Sequence, residues 1–304
     1  MLGRIQRYLV GGLLALALIL ISLNWSHSPT LCGLVALLFL TWHALFLALE
    51  FGLAHWVNRH DGAPRAGLGM MFLAWLGESI QAPRVFAWRQ PFRSSALPDQ
   101  LTQAPGSGRQ GVVFVHGFFC NRGFWNPWLQ QLQRSGHVYA AVNLEPVFGS
   151  INDYAGLIDS AVKRVNAATG MPALVICHSM GGLAVRAWLR SPQADALIAH
   201  VVTIGTPHQG TWLGRLSPTP NGRQMRLASR WLTDLARDEP EARRSRFTCY
   251  YSNCDNIVFP TLSATLSGAD NCFLPGVAHV AMAFDERVMS ESLARLSGTP
   301  ETRS

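Results

Sequence analysis

From Tyr8 through Leu49 the chain carries no Asp, Glu, Lys or Arg. No other feature restricts the fold as much, because a run this long and apolar has no face that water would solvate. The run divides into two stretches, Tyr8–Leu23 and Leu31–Leu49, joined by the polar link Asn24–Thr30, which contains Pro29. Each stretch is close to the ~20 residues with which a helix crosses ~30 Å of hydrocarbon. Hydrocarbon requires every backbone polar group to be satisfied inside the segment, so a hairpin of two transmembrane helices is expected within residues 1–58, over about 8–24 and 31–50. Arg4 and Arg7 precede the first stretch, Arg59 and Arg65 follow the second, and the link has neither Lys nor Arg. The excess of cationic residues at the two ends predicts that both lie on the cytoplasmic side, which in a bacterium means the inner membrane. A cleaved leader is the alternative, and Met1–Leu23 has its basic start and apolar middle. Against it, Asn24, Trp25 and Ser26 form no small-residue cleavage site, and a second apolar stretch follows.

The remaining composition narrows the partners. Apolar residues make up 49% of the chain and charged ones 14%, and the excess sits at the N-terminal end. The net charge of +7 suits nucleic acid or an anionic membrane surface alike. No nucleic-acid motif, nucleotide loop or metal-spaced cysteine pair is present, so membrane lipid is the expected partner, with no nucleic acid, metal or cofactor. Most of the six cysteines read as buried thiols, and whether Cys254 and Cys272 bridge depends on compartment. His43 and Trp42, inside the second span, are expected to pack against the partner helix. Ala66–Ile80 is too short to span; it reads equally as an interfacial helix or as one docked on the domain that follows. A basic, aromatic stretch through Arg84, Trp88, Arg89, Phe92 and Arg93 comes next, of the kind that suits a membrane interface. Ser94–Gln110, rich in Ser, Pro, Gly and Gln, reads as a linker, so residues 59–110 form an interfacial and linking segment.

Over residues 111–300, short apolar runs alternate with helix-length segments. Strands are expected at Gly111–Val115, His137–Leu144, Ala173–Cys177, His200–Ile204 and Phe247–Ser252. Helices are expected at Pro127–Arg134, capped by Asn126, and at Tyr154–Ala168, Met180–Arg190 and Asp285–Leu296. Such alternation predicts an α/β domain with a mostly parallel sheet covered on both faces.

The chemistry concentrates at Cys177-His178-Ser179-Met180-Gly181-Gly182, between a buried strand and a helix. A nucleophilic serine needs its hydroxyl presented on a sharp strand-to-helix turn, with small residues two before and two after it. Gly181 meets the second requirement, while Cys177 stands where the G-x-S-x-G pattern has glycine. Upstream, the strand ending at Val115 runs into His116-Gly117-Phe118, so the amides of Phe118 and Met180 are the oxyanion-hole candidates. A plain His-Gly turn is the alternative. Downstream, Asp255 follows the strand Phe247–Ser252 and His279 precedes the last helix, giving the order Ser179, Asp255, His279. His279 would take the serine proton and Asp255 would hold its imidazole. His178 is expected to point away from the serine, and His116 and His208 to be structural. The rival acids Asp270, read as loop, and Asp238, on a polar helical segment, are expected to be solvated.

These stretches, with Gly205-Thr206-Pro207-His208-Gln209-Gly210, resemble the bacterial triacylglycerol lipases and esterases of the α/β-hydrolase fold over residues 111–296. The resemblance implies carboxylester hydrolysis through an acyl-serine intermediate, on a lipid-like or small acyl ester, with no organic cofactor. It leaves open a serine acyltransferase, passing the acyl group to an alcohol or thiol, or a thioesterase using the same triad, since these routes share the intermediate. A non-enzymatic membrane scaffold with this fold is a third reading. Thr211–Arg246 lies where such enzymes insert a lid; its apolar residues at helical spacing beside many arginines read either as a lipid-facing cap or as a surface helix with a buried stripe.

Overall fold

The computed structural model describes residues 1–102 and 108–297. Residues 103–107 of the expected linker, and 298–300 at the expected domain end, lie outside the described residues. Helices α1 (Leu2–Asn24), α2 (Pro29–Val57), α3 (Leu68–Pro83) and α4 (Gln90–Arg93) come first. The strands are β1 (Val112–Val115), β2 (Tyr139–Ala141), β3 (Ala173–His178), β4 (Ile198–Ile204), β5 (Phe247–Tyr251) and β6 (Asp270–Phe273). Between and after them run α5 (Asn126–Ser135), α6 (Ala155–Thr169), α7 (Met180–Trp188), α8 (Pro220–Gln224), α9 (Arg230–Arg237), α10 (Glu241–Arg244), α11 (His279–Met282) and α12 (Glu286–Ala294).

The strands form one parallel six-stranded sheet in the order β2-β1-β3-β4-β5-β6. The twofold period of a strand sends alternate residues to opposite faces, and both faces are covered, so the strands are apolar throughout. Val113, Val115, Val175 and Cys177 pack with Ile158 and Val162 of α6, Leu183 of α7 and Leu232 and Leu235 of α9. Val112, Phe114, Leu174 and Ile176 pack on the other side with Trp125, Trp128 and Leu129 around α5 and Val288 of α12.

Two features depart from the expectation. β6 was not anticipated, because Asp270-Asn271-Cys272-Phe273 has no apolar run; as an edge strand it is paired on one side only, and Asp270 lies on it, not in a loop. Asn126 is helical and does not cap α5; its side-chain amide donates to Arg93 O at 3.0 Å.

Helices α1 and α2 pack against each other, with Cys32 Sγ donating to Ile21 O at 3.4 Å. Both run past the apolar stretches, and in each case the extra turns dock. Leu2 and Gln6 are buried, and Gln6 Nε2 donates to Gln90 Oε1 at 3.0 Å. At the far end of α2, Phe51 and Ala54 are buried, and Phe51 packs with Cys254 and Ala278. Between these ends most leucines face outward, though Leu47 is buried; Leu37 is 57% and Leu40 65% exposed. Both helices are long and apolar enough to cross a membrane. His43 bonds Ser79 O of α3 at 3.0 Å, and Trp75 of α3 donates to Ala44 O at 2.7 Å. One face of α3 buries Ala74 and Glu78, whereas Leu68, Phe72, Leu73, Leu76 and Ile80 stay exposed on the other.

Candidate active site

β3 ends at His178 and α7 begins at Met180, so Ser179 makes the turn alone, with φ 54° and ψ −130°. A residue with a Cβ holds that conformation only where its surroundings enforce it. Ser179 N donates to Ile204 O at 2.9 Å, and Thr206 Oγ1 donates to Ser179 O at 2.8 Å. Gly181 lets α7 close on β1, since a Cβ there would sit 2.4 Å from Val115 O. Cys177 replaces the usual glycine without conflict because its side chain lies in the core cluster beside α7. Ser179 itself is 7% exposed.

His116, at the end of β1, stiffens the facing loop. Its Nε2 accepts from Leu144 N at 3.1 Å and its Nδ1 donates to Gly117 O at 2.9 Å, which fixes the tautomer. Burial lowers its pKa to about 4, so it stays neutral, in the structural role expected of it. His208 is buried likewise, bonded to Thr203 Oγ1 at 3.0 Å beside the buried Arg186–Glu239 pair. Among the described residues, neither the Phe118 nor the Met180 amide is used in another hydrogen bond. Phe118 and Phe119 meet Phe148 at centroid distances of 5.8 and 6.2 Å, an aromatic cluster flanking the loop that no local pattern announces.

After β5 the chain turns tightly through Asp255. Its Oδ1 accepts from Ile257 N at 2.8 Å and Val258 N at 2.7 Å, leaving Oδ2 to accept from His279 Nδ1 at 2.9 Å. Asp255 and His279 are 2% and 4% exposed. Burial alone would lower the His279 pKa, but the bonded Asp255 carboxylate, with Glu78 and Glu50 beyond it, outweighs burial and raises it. Gly205, at φ 57°, underlies the pair; a Cβ there would lie 3.1 Å from both Asp255 Oδ2 and His279 Nδ1. No hydrogen bond joins Ser179 Oγ to His279 among the described residues; such contacts commonly tighten only with substrate bound. The rival acids are elsewhere: Asp270 bonds Thr248 and pairs with Arg295, and Asp238 pairs with Arg190 at the surface.

His178 points to the far side of the sheet from the α7 core. There it stacks on Phe124 (centroids 4.5 Å) and its Nε2 donates to His279 O at 3.1 Å. Glu78 of α3 accepts from Val280 N at 2.8 Å and Ala281 N at 2.9 Å. Glu50 of α2 accepts from Asn256 Nδ2 at 2.7 Å. His178 points away from the serine as expected, but its bond to His279 and the contacts of Glu78 and Glu50 have no local signal in the sequence, Glu78 lying 202 residues from Val280.

A family model described as the alpha/beta hydrolase family matches residues 112–295. A lipase from Bacillus licheniformis in its mature form is similar over 64% of this chain and 95% of its own, with a TM-score of 0.56 and 16% identity. Lipase B from Aspergillus fumigatus is similar over 63% of this chain and 53% of its own, with a TM-score of 0.55 and 19% identity. At such identities the likeness to these two is one of fold.

Proposed function

Because the chain belongs to the alpha/beta hydrolase family, we propose that it is a membrane-anchored serine carboxylester hydrolase of the lipase or esterase type. One observation carries the chemistry: a buried Asp255–His279 pair at 2.9 Å, beside a serine held at φ 54° between strand and helix. Ser179 Oγ attacks the acyl carbonyl while its proton passes to His279 Nε2, the nitrogen that Asp255 leaves free. Asp255 stabilises the imidazolium, and the Phe118 and Met180 amides receive the oxyanion. The alcohol departs with the proton from His279, and water, activated by the same imidazole, releases the acid from the acyl-serine.

Location rests on different observations. The two apolar helices are only 11% buried over their most apolar windows, unlike the core helices of a water-soluble protein. The exposed apolar face of α3 and the nearby arginines suit the membrane interface. An ester that partitions into the bilayer is therefore the favoured substrate, and the cationic flanks Arg4, Arg7, Arg59 and Arg65 favour the cytoplasmic side for the catalytic domain. In the proposed cap, 211–246, α9 turns Leu232 and Leu235 into the core while Leu216 stays exposed.

A fluorophosphonate probe tests the nucleophile. It should label the wild-type chain and not Ser179→Ala, whose turnover of p-nitrophenyl esters should fall by roughly 10⁴-fold or more. Absent labelling of the folded wild-type chain, or labelling that survives in Ser179→Ala, sinks the assignment.

A further inference from the structure

We infer that Glu78 and Glu50, both from the N-terminal helices, are positioning residues for His279, so that the base of the catalytic domain is held in place by the segment that anchors it. The inference rests on the reading of His279 as the general base.

Helix α11 begins at His279, and its N-cap, Ala278, has no side chain able to cap it. The first amides of a helix have no partner inside it and, when buried, must find one elsewhere. Glu78 supplies it, one carboxylate oxygen to Val280 N at 2.8 Å and the other to Ala281 N at 2.9 Å. The amide of His279 itself donates to Asn256 Oδ1 at 3.2 Å, and Asn256 is held in turn by Glu50 at 2.7 Å. Three consecutive amides are thus fixed, two directly and one through Asn256, by carboxylates that precede the catalytic domain in the chain. The carbonyl of His279 is fixed by His178.

Simple adhesion would not need these groups. The same interface is already joined by apolar contacts of Phe51 and Ala74, and by Asn58 and Asp61 bonding the amides of Thr261 and Leu262 at 3.1 and 2.9 Å. Glu78 is moreover an expensive choice, being 1% exposed with its pKa raised to about 7 by burial. Its carboxylate shares its surroundings with Asp255, Glu50 and the His279 imidazole, so its negative charge also favours the imidazolium.

The test uses the full chain in detergent or vesicles, with p-nitrophenyl butyrate. A misplacement of about 1 Å costs on the order of 10²-fold, so Glu78→Ala should lower kcat roughly 10–100-fold with KM within about twofold. Glu50→Ala should lower kcat by roughly tenfold, while Glu50→Gln, which keeps an oxygen for Asn256, should stay within about threefold of wild type. Glu78→Gln should move the acid limb of kcat/KM to lower pH, because a carboxylate that favours imidazolium has gone. If Glu78→Ala does not fold, the Glu50 pair and Glu78→Gln decide the matter. Unchanged kcat in the folded alanine variants together with an unmoved acid limb overturns the inference. Should the wild-type chain turn over no ester, the proposed function falls separately. NMR titration of His279 then decides the positioning role: a lower pKa in Glu78→Gln supports it, and an unchanged one overturns it.

Discussion

Leu174 in β3 and Leu37 in α2 are the same side chain in opposite surroundings. The first is wholly buried between sheet and helices, and the second is 57% exposed on an apolar helix. In the sheet domain apolar groups point inward, and among the buried polar ones Ser179, Asp255, Asn256 and His279 belong to the site or to its braces. In the hairpin the order largely reverses: most leucines face out, while Gln6 near one end is buried and Glu50 near the other reaches inward to Asn256. The lesson is that the two regions follow opposite rules of burial. Water drives the sheet domain to bury its leucines, and the hairpin has the pattern that lipid rewards. The site lies where the two regimes meet.

The largest expected effect belongs to the sheet domain alone. Asp255→Asn keeps the shape of the turn but favours the wrong imidazole tautomer, so kcat should fall by about 10⁴-fold, with membrane association unchanged. If ester turnover by Asp255→Asn stays within tenfold of wild type, the acid has been misassigned. The next test breaks the symmetry between the two leucines. Leu174→Ala should cost about 2–5 kcal/mol of stability, read as a lowered Tm. Leu37→Arg should leave turnover of a soluble short-chain ester within about twofold yet release the chain from membranes at alkaline pH, since an arginine at mid-span costs about 2.5–3.5 kcal/mol. Alkaline extraction of the wild-type chain as well would mean that the hairpin is not what holds it in the membrane. The smallest effect is in the pH profile. His279 must be neutral to accept the proton, and its pKa is raised, so activity should rise with pH along a limb lying above the ordinary histidine value of 6.5. An acid limb below that value would show that the carboxylates around the imidazole do not act on it as described.

Much of this was legible in the chain itself. The elbow at Ser179 is a local object, a buried strand, one turn residue and a helix, and all its requirements lie within a few positions of each other. The alternation of strands and helices gave the parallel sheet because twofold and helical periodicities are local as well. β6 was not legible, because an edge strand buries little and its polar residues carry no period. The partner of His43 was also out of reach, since an apolar helix pattern says that a face is covered but not by what. His178 looked like a bystander because alternation along β3 shows only that it faces away from the core beside α7, not that the His279 carbonyl waits on the other side.

By itself, then, the sequence determined the two apolar helices and the sheet and pointed to Ser179 as the candidate nucleophile, since each follows from the order of residues over a short span. It also supplied Asp255 and His279 as expectations from their order along the chain. Only the tertiary structure decided how they meet: a 2.9 Å bond between Asp255 and His279, Gly205 beneath it, Glu78 of α3 gripping the turn that carries the histidine, and Glu50 of α2 holding it through Asn256. The reason is physical. A buried amide must find an acceptor, and which acceptor reaches it is settled by the packing of helices some two hundred residues apart, which no local pattern encodes.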